Sequence, residues 1–185
     1  MRDSRPIYRE TQNFGRTKLG IFITVSAAVW ILPAAAVLAS QGASGLDWAI
    51  LAGVFVFATL LPQSMIQRVR VVPGEVRVRF WFFPGLRADA NAVEGLEVVT
   101  FDPLRDFGGW GLKVTRRHGR VYCVQGRQGV RFRVGDRRYV VGSADAPALA
   151  LAIAEAGAQP PESLEPVDVR QTPTFERTPP AEPAP

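Results

Sequence analysis

The chain has 185 residues, room for one ordinary domain with appendages, and its mean hydropathy is slightly positive although 21% of its residues are charged. Its apolar residues must therefore be concentrated in places. The net charge of +5 comes from 20 Arg and 2 Lys against 17 acids, and a lone Cys123 and a lone His118 exclude a disulfide framework and a His/Cys zinc cage.

Residues 1–18 carry Arg2, Arg5, Arg9, Arg16 and Lys18 against Asp3 and Glu10, and read as a polar, basic arm. Leu19–Ala39 is uncharged for 21 residues, about 31 Å as a helix, which matches the hydrocarbon thickness of a bilayer. A second apolar run, Trp48–Ile66, follows the short linker SQGASGLD. Residues 19–66 thus predict a transmembrane helical hairpin. A signal peptide has a shorter apolar core and no second span, and Pro33 is tolerated inside a membrane helix because neighbours satisfy the freed carbonyl. The linker has no Lys or Arg, whereas the arm has five and Arg68 and Arg70 follow the second run. The positive-inside rule then places both termini in the cytoplasm, and the protein in the inner (plasma) membrane.

From residue 67 to 157 the period changes to two. RVRVV and VRVRFWFF alternate, which predicts one strand through Phe83 with Arg77, Arg79, Trp81 and Phe83 on its wet face. Pro73-Gly74 and Pro84-Gly85 read as the turns on either side. Further strands are predicted at Leu86–Asp89, Leu96–Phe101, Leu112–Arg116, Arg120–Val124, Val130–Val134 and Arg138–Val141, punctuated by Gly119, Gly126, Gly129 and Gly135-Asp136. After Gly142 the pattern turns helical: Asp145 caps, Pro147 fits the first turn, and Leu149, Ala152, Ile153 and Ala156 form a stripe. The fold class is α+β, a hairpin of membrane helices followed by a small antiparallel barrel that this helix plugs. Residues 158–185, rich in proline and net acidic, read as a disordered tail, with PTFERTPP as a stretch that a proline-reading partner could dock.

The glycine cluster in RDFGGWGLK lacks both GxGxxG and GxxxxGK[ST] and leads into a strand, so it reads as a turn or bulge, not a phosphate cradle. Trp110 then packs over a core gap or rests at lipid headgroups. DFGGWGLK, the basic hairpin after it, GVRFRV, RRYVVGSAD and the Ala/Leu helix resemble small bacterial membrane proteins that carry two membrane helices before a pleckstrin-homology-like (PH-like) domain. The resemblance covers roughly residues 19–156 and implies a bent seven-stranded barrel capped by the C-terminal helix. It implies no activity. The eukaryotic phosphoinositide readers use a long basic loop between their first two strands, where this chain has only PGE, so no headgroup residues carry over.

No catalytic constellation emerges. His118 in RRHGR has no nominated carboxylate or nucleophile and reads as a turn residue. Cys123 reads as packing within a strand, and Asp102 and Asp106 read as turn formers rather than an acid/base or metal pair. No cofactor or metal is expected. Residues 68–143 hold 14 Arg and one Lys against seven acids, a net +8. One reading makes these arginines the wet face of a half-buried sheet. The other makes Arg116, Arg117, Arg120, Arg127, Arg131 and Arg133 an anionic-surface site at the cytoplasmic leaflet, where each Arg near the surface contributes about 1 kcal/mol. Nucleic acid is not expected, because the aromatic-plus-basic platform of single-strand binders is not evident. The expected function is a non-catalytic module that binds a membrane-protein partner or anionic lipid. An enzyme subunit, or a structural subunit of a membrane complex, is the alternative.

Overall fold

The chain enters the fold as a strand. In the computed structural model, which describes residues 5–161 and 163–171, Tyr8–Asn13 (β1) pairs antiparallel with Ile66–Val72 (β2), from Tyr8↔Val71 to Asn13↔Ile66. The expected polar arm is thus an integral strand. Arg2 and PTFERTPP (173–180) lie outside the described residues.

Between β1 and β2 the chain makes two long helices, Lys18–Ser40 (α1) and Gly45–Ser64 (α2). Thr17 caps α1 by accepting from Gly20 N at 3.0 Å, and Ser44 and Asp47 form a reciprocal capping box on α2. At about 34 and 30 Å, both helices are long and apolar enough to cross a membrane. Because β1 runs into α1 and α2 runs into β2, the helical pair grows out of one end of the β1–β2 ladder. Phe14 N donates to Met65 O (3.0 Å) and Asn13 Nδ2 to Gln63 O (3.2 Å), which fixes that junction.

The first sheet continues with Glu75–Phe80 (β3) and Phe83–Asp89 (β4), in the order β1-β2-β3-β4 and antiparallel throughout. Pro73-Gly74 is the expected turn. Pro84-Gly85 is not: Phe80 pairs with Phe83, so the hairpin turns at Trp81-Phe82, and Trp81 adopts φ 49° while donating its N–H to Ile66 O (2.8 Å). Pro84 and Gly85 instead sit opposite Arg79 in a bulge of β4. An edge strand tolerates proline there, and a Cβ on Gly85 would lie 2.3 Å from Val78 O.

A short 3-10 turn at Ala90–Ala92, capped by Asp89, carries the chain out of this sheet. Val93–Thr100 (β5) follows, then the short helix Pro103–Phe107 (α3), Gly111–Thr115 (β6), Gly119–Cys123 (β7), Gln128–Val134 (β8), Arg137–Gly142 (β9), Ala146–Glu155 (α4) and Val167–Asp168 (β10). The second sheet has the order β10-β5-β8-β9-β7-β6, with β7–β9 and β10–β5 parallel and the other pairs antiparallel. The expected closed, purely antiparallel barrel is therefore not formed. Because the turn after β4 lets β5 pair with β8 rather than with β4, two open sheets result, one of them mixed.

The inner faces of the two sheets share one core, with Val69, Val71, Val78 and Phe80 from the first and Leu96, Val98, Val130, Phe132 and Val141 from the second. Helix α4 fills its end as predicted, burying Leu149, Ala152 and Ile153, with Asp145 accepting from Ala148 N. A smaller cluster lies on the other face of the second sheet, where Phe101, Phe107, Val121, Cys123 and Val140 pack under α3. Val169 of the expected tail completes it, fully buried beside β10. The tail thus docks at least as far as Arg170, whose Nε lies 2.6 Å from Asp106 Oδ1.

Candidate functional site

The period of two in β2 and β3 sends their valines inward and their arginines outward, and register then assembles rows. Arg9, Arg70, Arg77 and Arg87 lie side by side across β1–β4, and Thr11, Arg68 and Arg79 form the next row toward the helices. Glu75 sits at the far end, paired with Arg77 (2.5 Å) and Arg87, and these two guanidinium groups hold its carboxyl below the usual range. The side chains of Arg68 and Arg79 have no ion pair or hydrogen bond among the described residues.

The β3–β4 tip stands beside this row. Trp81, Phe82 and Phe83 form an aromatic cluster, with Phe82 stacked on Phe83 (ring centroids 4.7 Å apart) and Trp81 tilted against Phe82 (4.1 Å), and Phe82 is 71% exposed. Beneath the tip is a cleft of about 180 Å³ lined by Ser64, Ile66, Arg68, Arg79 and Trp81. A second cleft of about 310 Å³ at the same end is lined by Thr17, Lys18, Leu104, Trp110, Gln125 and Arg127. Trp110, half-buried, packs against both core clusters.

The six arginines singled out from sequence are not brought together. Arg131 and Arg133 are cross-strand partners of Glu97 and Glu94, at 2.7 and 2.5 Å. A bulge at Gly95 (φ 58°) makes this possible: the extra residue puts Glu94 and Glu97 on one face of β5, although they are three apart. Arg127 lies 4.0 Å from Asp102, and Arg117 donates to Arg170 O (2.9 Å). Arg116 and Arg120 are exposed on the β6–β7 hairpin. The sequence signal for the rows on the first sheet was present in RVRVV and VRVRF. What was missing was the register that sets Arg68 against Arg79.

No protein-family model, curated protein or solved structure matches the chain. Its functional reading rests on its own geometry.

Other polar groups make contacts within the fold. Asp102 caps α3, accepting from Leu104 N and Arg105 N, and Asp106 accepts from Asp102 N (2.7 Å). Among the described residues no group of three or more His, Cys, Asp and Glu could hold a metal. Cys123 is fully buried, and burial pushes its thiol up to about 12, so it is protonated and unreactive. Glu10 joins the sheets as a clasp: its carboxylate accepts from Tyr8 Oη (2.8 Å), Gln12 Nε2 (2.7 Å), Ser143 Oγ (2.6 Å) and Ala144 N (2.8 Å). Burial raises the Tyr8 phenol to about 12. Ser143 is 2% exposed and has no histidine beside it, so it is not an activated nucleophile.

His118 is buried, 6% exposed, with its ring edge-on to Phe107 at 5.5 Å. Burial first, then the positive charges of Arg117, Arg131 and Arg138 outweighing Asp106, hold it below its ordinary value of 6.5. The unfolded chain therefore binds this proton more readily than the folded one. The stability His118 contributes is complete above about pH 6.5 and is lost as the pH falls from there toward the depressed folded pKa. Thermal melts between pH 7.5 and 5 should show a steeper loss of Tm in the wild type than in His118→Gln, and equal slopes would contradict this assignment.

Proposed function

We propose that this chain is a non-catalytic integral protein of the inner membrane. The α1–α2 hairpin crosses the bilayer twice with both termini cytoplasmic, and the β domain lies against the cytoplasmic leaflet, binding the anionic membrane surface or a membrane-protein partner. The observation that carries this reading is the exposure of the helices. They are apolar around their whole circumference, with Phe22, Trp30, Leu32, Leu46, Val54, Phe57 and Leu60 at 60% exposure or more, and the β domain does not cover them. A helix apolar on every side belongs in a protein core or in lipid, and the absence of a covering core in this chain favours lipid. Arg16 just before α1, Lys18 at its first position and Arg68 after α2 put positive charge at the ends that meet the β domain, while the α1–α2 connection carries none. What supports a PH-like plan is the antiparallel four-stranded sheet packed on a second sheet, with the C-terminal helix filling one end. The domain departs from the seven-stranded plan in its open edges and in the parallel β7–β9 pairing.

The test is topology in the full chain. The protein should stay with membranes through alkaline carbonate extraction, and alkaline phosphatase fused after Pro185 should be inactive where a cytoplasmic fluorescent reporter is bright. A chain found in the supernatant, or an active phosphatase, would overturn the reading.

A further inference from the structure

The geometry points to the cleft under the Trp81 tip as a binding site for the phosphate group of an anionic phospholipid, held between Arg68 and Arg79. This rests on the membrane reading above and deepens it from a diffuse basic surface to one site.

The first argument is electrostatic. Arg68 and Arg79 are directly opposite on adjacent strands, which brings their Cβ atoms to about 4.5–5.5 Å, and like charges so placed destabilise a sheet. In the neighbouring row Glu75 relieves the same conflict for Arg77 and Arg87. No carboxylate does so for Arg68 and Arg79 among the described residues. An oxyanion between the two guanidinium groups would take the place of that missing carboxylate and accept charge-assisted hydrogen bonds from both.

The second argument is position. Arg68 stands about 7 Å along β2 from Ile66, the first residue of the strand, whereas Arg70 in the next row stands about 14 Å from it. Of the outward-facing basic rows, the unrelieved pair is therefore the one nearer the end of α2 and the headgroups. Trp81 lines the same cleft, and Phe82 projects beyond it. Aromatic side chains favour this interfacial zone. Trp81 also occupies a left-handed conformation that glycine or asparagine would adopt more cheaply, so the turn keeps its indole at the cost of local strain.

The third argument is size. At about 180 Å³ the cleft is smaller than the sites that enclose drug-sized ligands, and suits one headgroup phosphate whose acyl chains remain in the leaflet.

The test uses the full chain in neutral detergent, titrated with phosphatidylglycerol, phosphatidylcholine or inorganic phosphate, with Tm and native mass spectrometry as readouts. Phosphatidylglycerol should raise the wild-type Tm saturably and remain bound as one tight adduct, while phosphatidylcholine should do neither. Arg68→Gln and Arg79→Gln should each weaken the phosphatidylglycerol response by about tenfold, and Arg137→Gln, the same charge change at an exposed position on β9 of the other sheet, should leave it unchanged. Without lipid, both variants should melt at or above the wild-type temperature, because each removes one of two repelling charges. A lower lipid-free Tm in both would defeat the like-charge argument and with it the site. A response to inorganic phosphate equal to that for phosphatidylglycerol would overturn the lipid assignment. Equal weakening by Arg137→Gln would overturn the site while leaving the membrane reading intact, which only the topology experiment can remove.

Discussion

Replacing Glu97 by glutamine is expected to destabilise the protein by about 3 kcal/mol, whereas the same change at Glu94, one bulge away on β5, should cost about 0.5 kcal/mol. Both carboxylates face an arginine of β8 at closely similar distances. What separates them is water. The Arg131 side chain is 6% exposed and Glu97 15%, while Arg133 and Glu94 are 32% and 53% exposed. Taking away the carboxylate at Glu97 leaves a guanidinium charge in a place where solvent cannot compensate for it, so the desolvation already spent on Arg131 is no longer offset. At Glu94 solvent takes over the lost interaction. Denaturant unfolding of the full chain in detergent, followed by tryptophan fluorescence, should resolve the two variants clearly. Equal midpoints would mean that Arg131 is far better hydrated than its burial implies.

The same pair shows what the sequence could not say about the arginines it singled out: which of them are engaged within the fold. Along the chain, Arg131 and Arg133 look like any other alternating basic residues. Their engagement depends on a glycine bulge 36 residues before Arg131, and a bulge changes which residues share a face without changing composition. Local signals were read well where local physics decides. The apolar runs at 19–39 and 48–66 became Lys18–Ser40 and Gly45–Ser64, and Asp145, Pro147 and the Leu149–Ile153 stripe became α4. They failed where a non-local contact overrides propensity. Pro84-Gly85 has turn chemistry, yet the hairpin turns three residues earlier because Trp81 N–H finds Ile66 O on β2. The docking of Val167–Arg170 could not be read from a proline-rich stretch, since a buried Val169, a two-residue parallel pairing with β5, the Arg170–Asp106 ion pair and a hydrogen bond from Arg117 hold it, all of them non-local.

Strand β1 was the hardest to foresee, because its buried position is a glutamine. In YRETQN the only residue that turns fully inward is Gln12, 2% exposed, so no apolar alternation marks the strand. Its partner across the ladder is Gln67, and the two side-chain amides both donate to Gly142 O, at 3.3 and 2.9 Å. Polar contacts, not a greasy stripe, therefore hold the N-terminal strand to the second sheet, and Glu10 is their centre.

Glu10→Ala is accordingly expected to cost about 3 kcal/mol, more than most surface substitutions, even though Glu10 lies near the chain terminus. Four donors lose their acceptor at once, among them the Ser143 hydroxyl and the Ala144 backbone N–H at the mouth of α4. Ser143 Oγ in turn accepts from Asp145 N, so the loss reaches the cap of that helix. Glu10→Gln keeps an acceptor oxygen and should lose only about 1 kcal/mol. Hydrogen exchange should then show faster opening at β1 and at the first turn of α4 together in Glu10→Ala, with the β6–β7 hairpin unaffected. If β1 opens while α4 stays protected, the clasp does not couple the two sheets. The N-terminal strand would then be an edge addition that serves only to set the angle at which α1 leaves the domain.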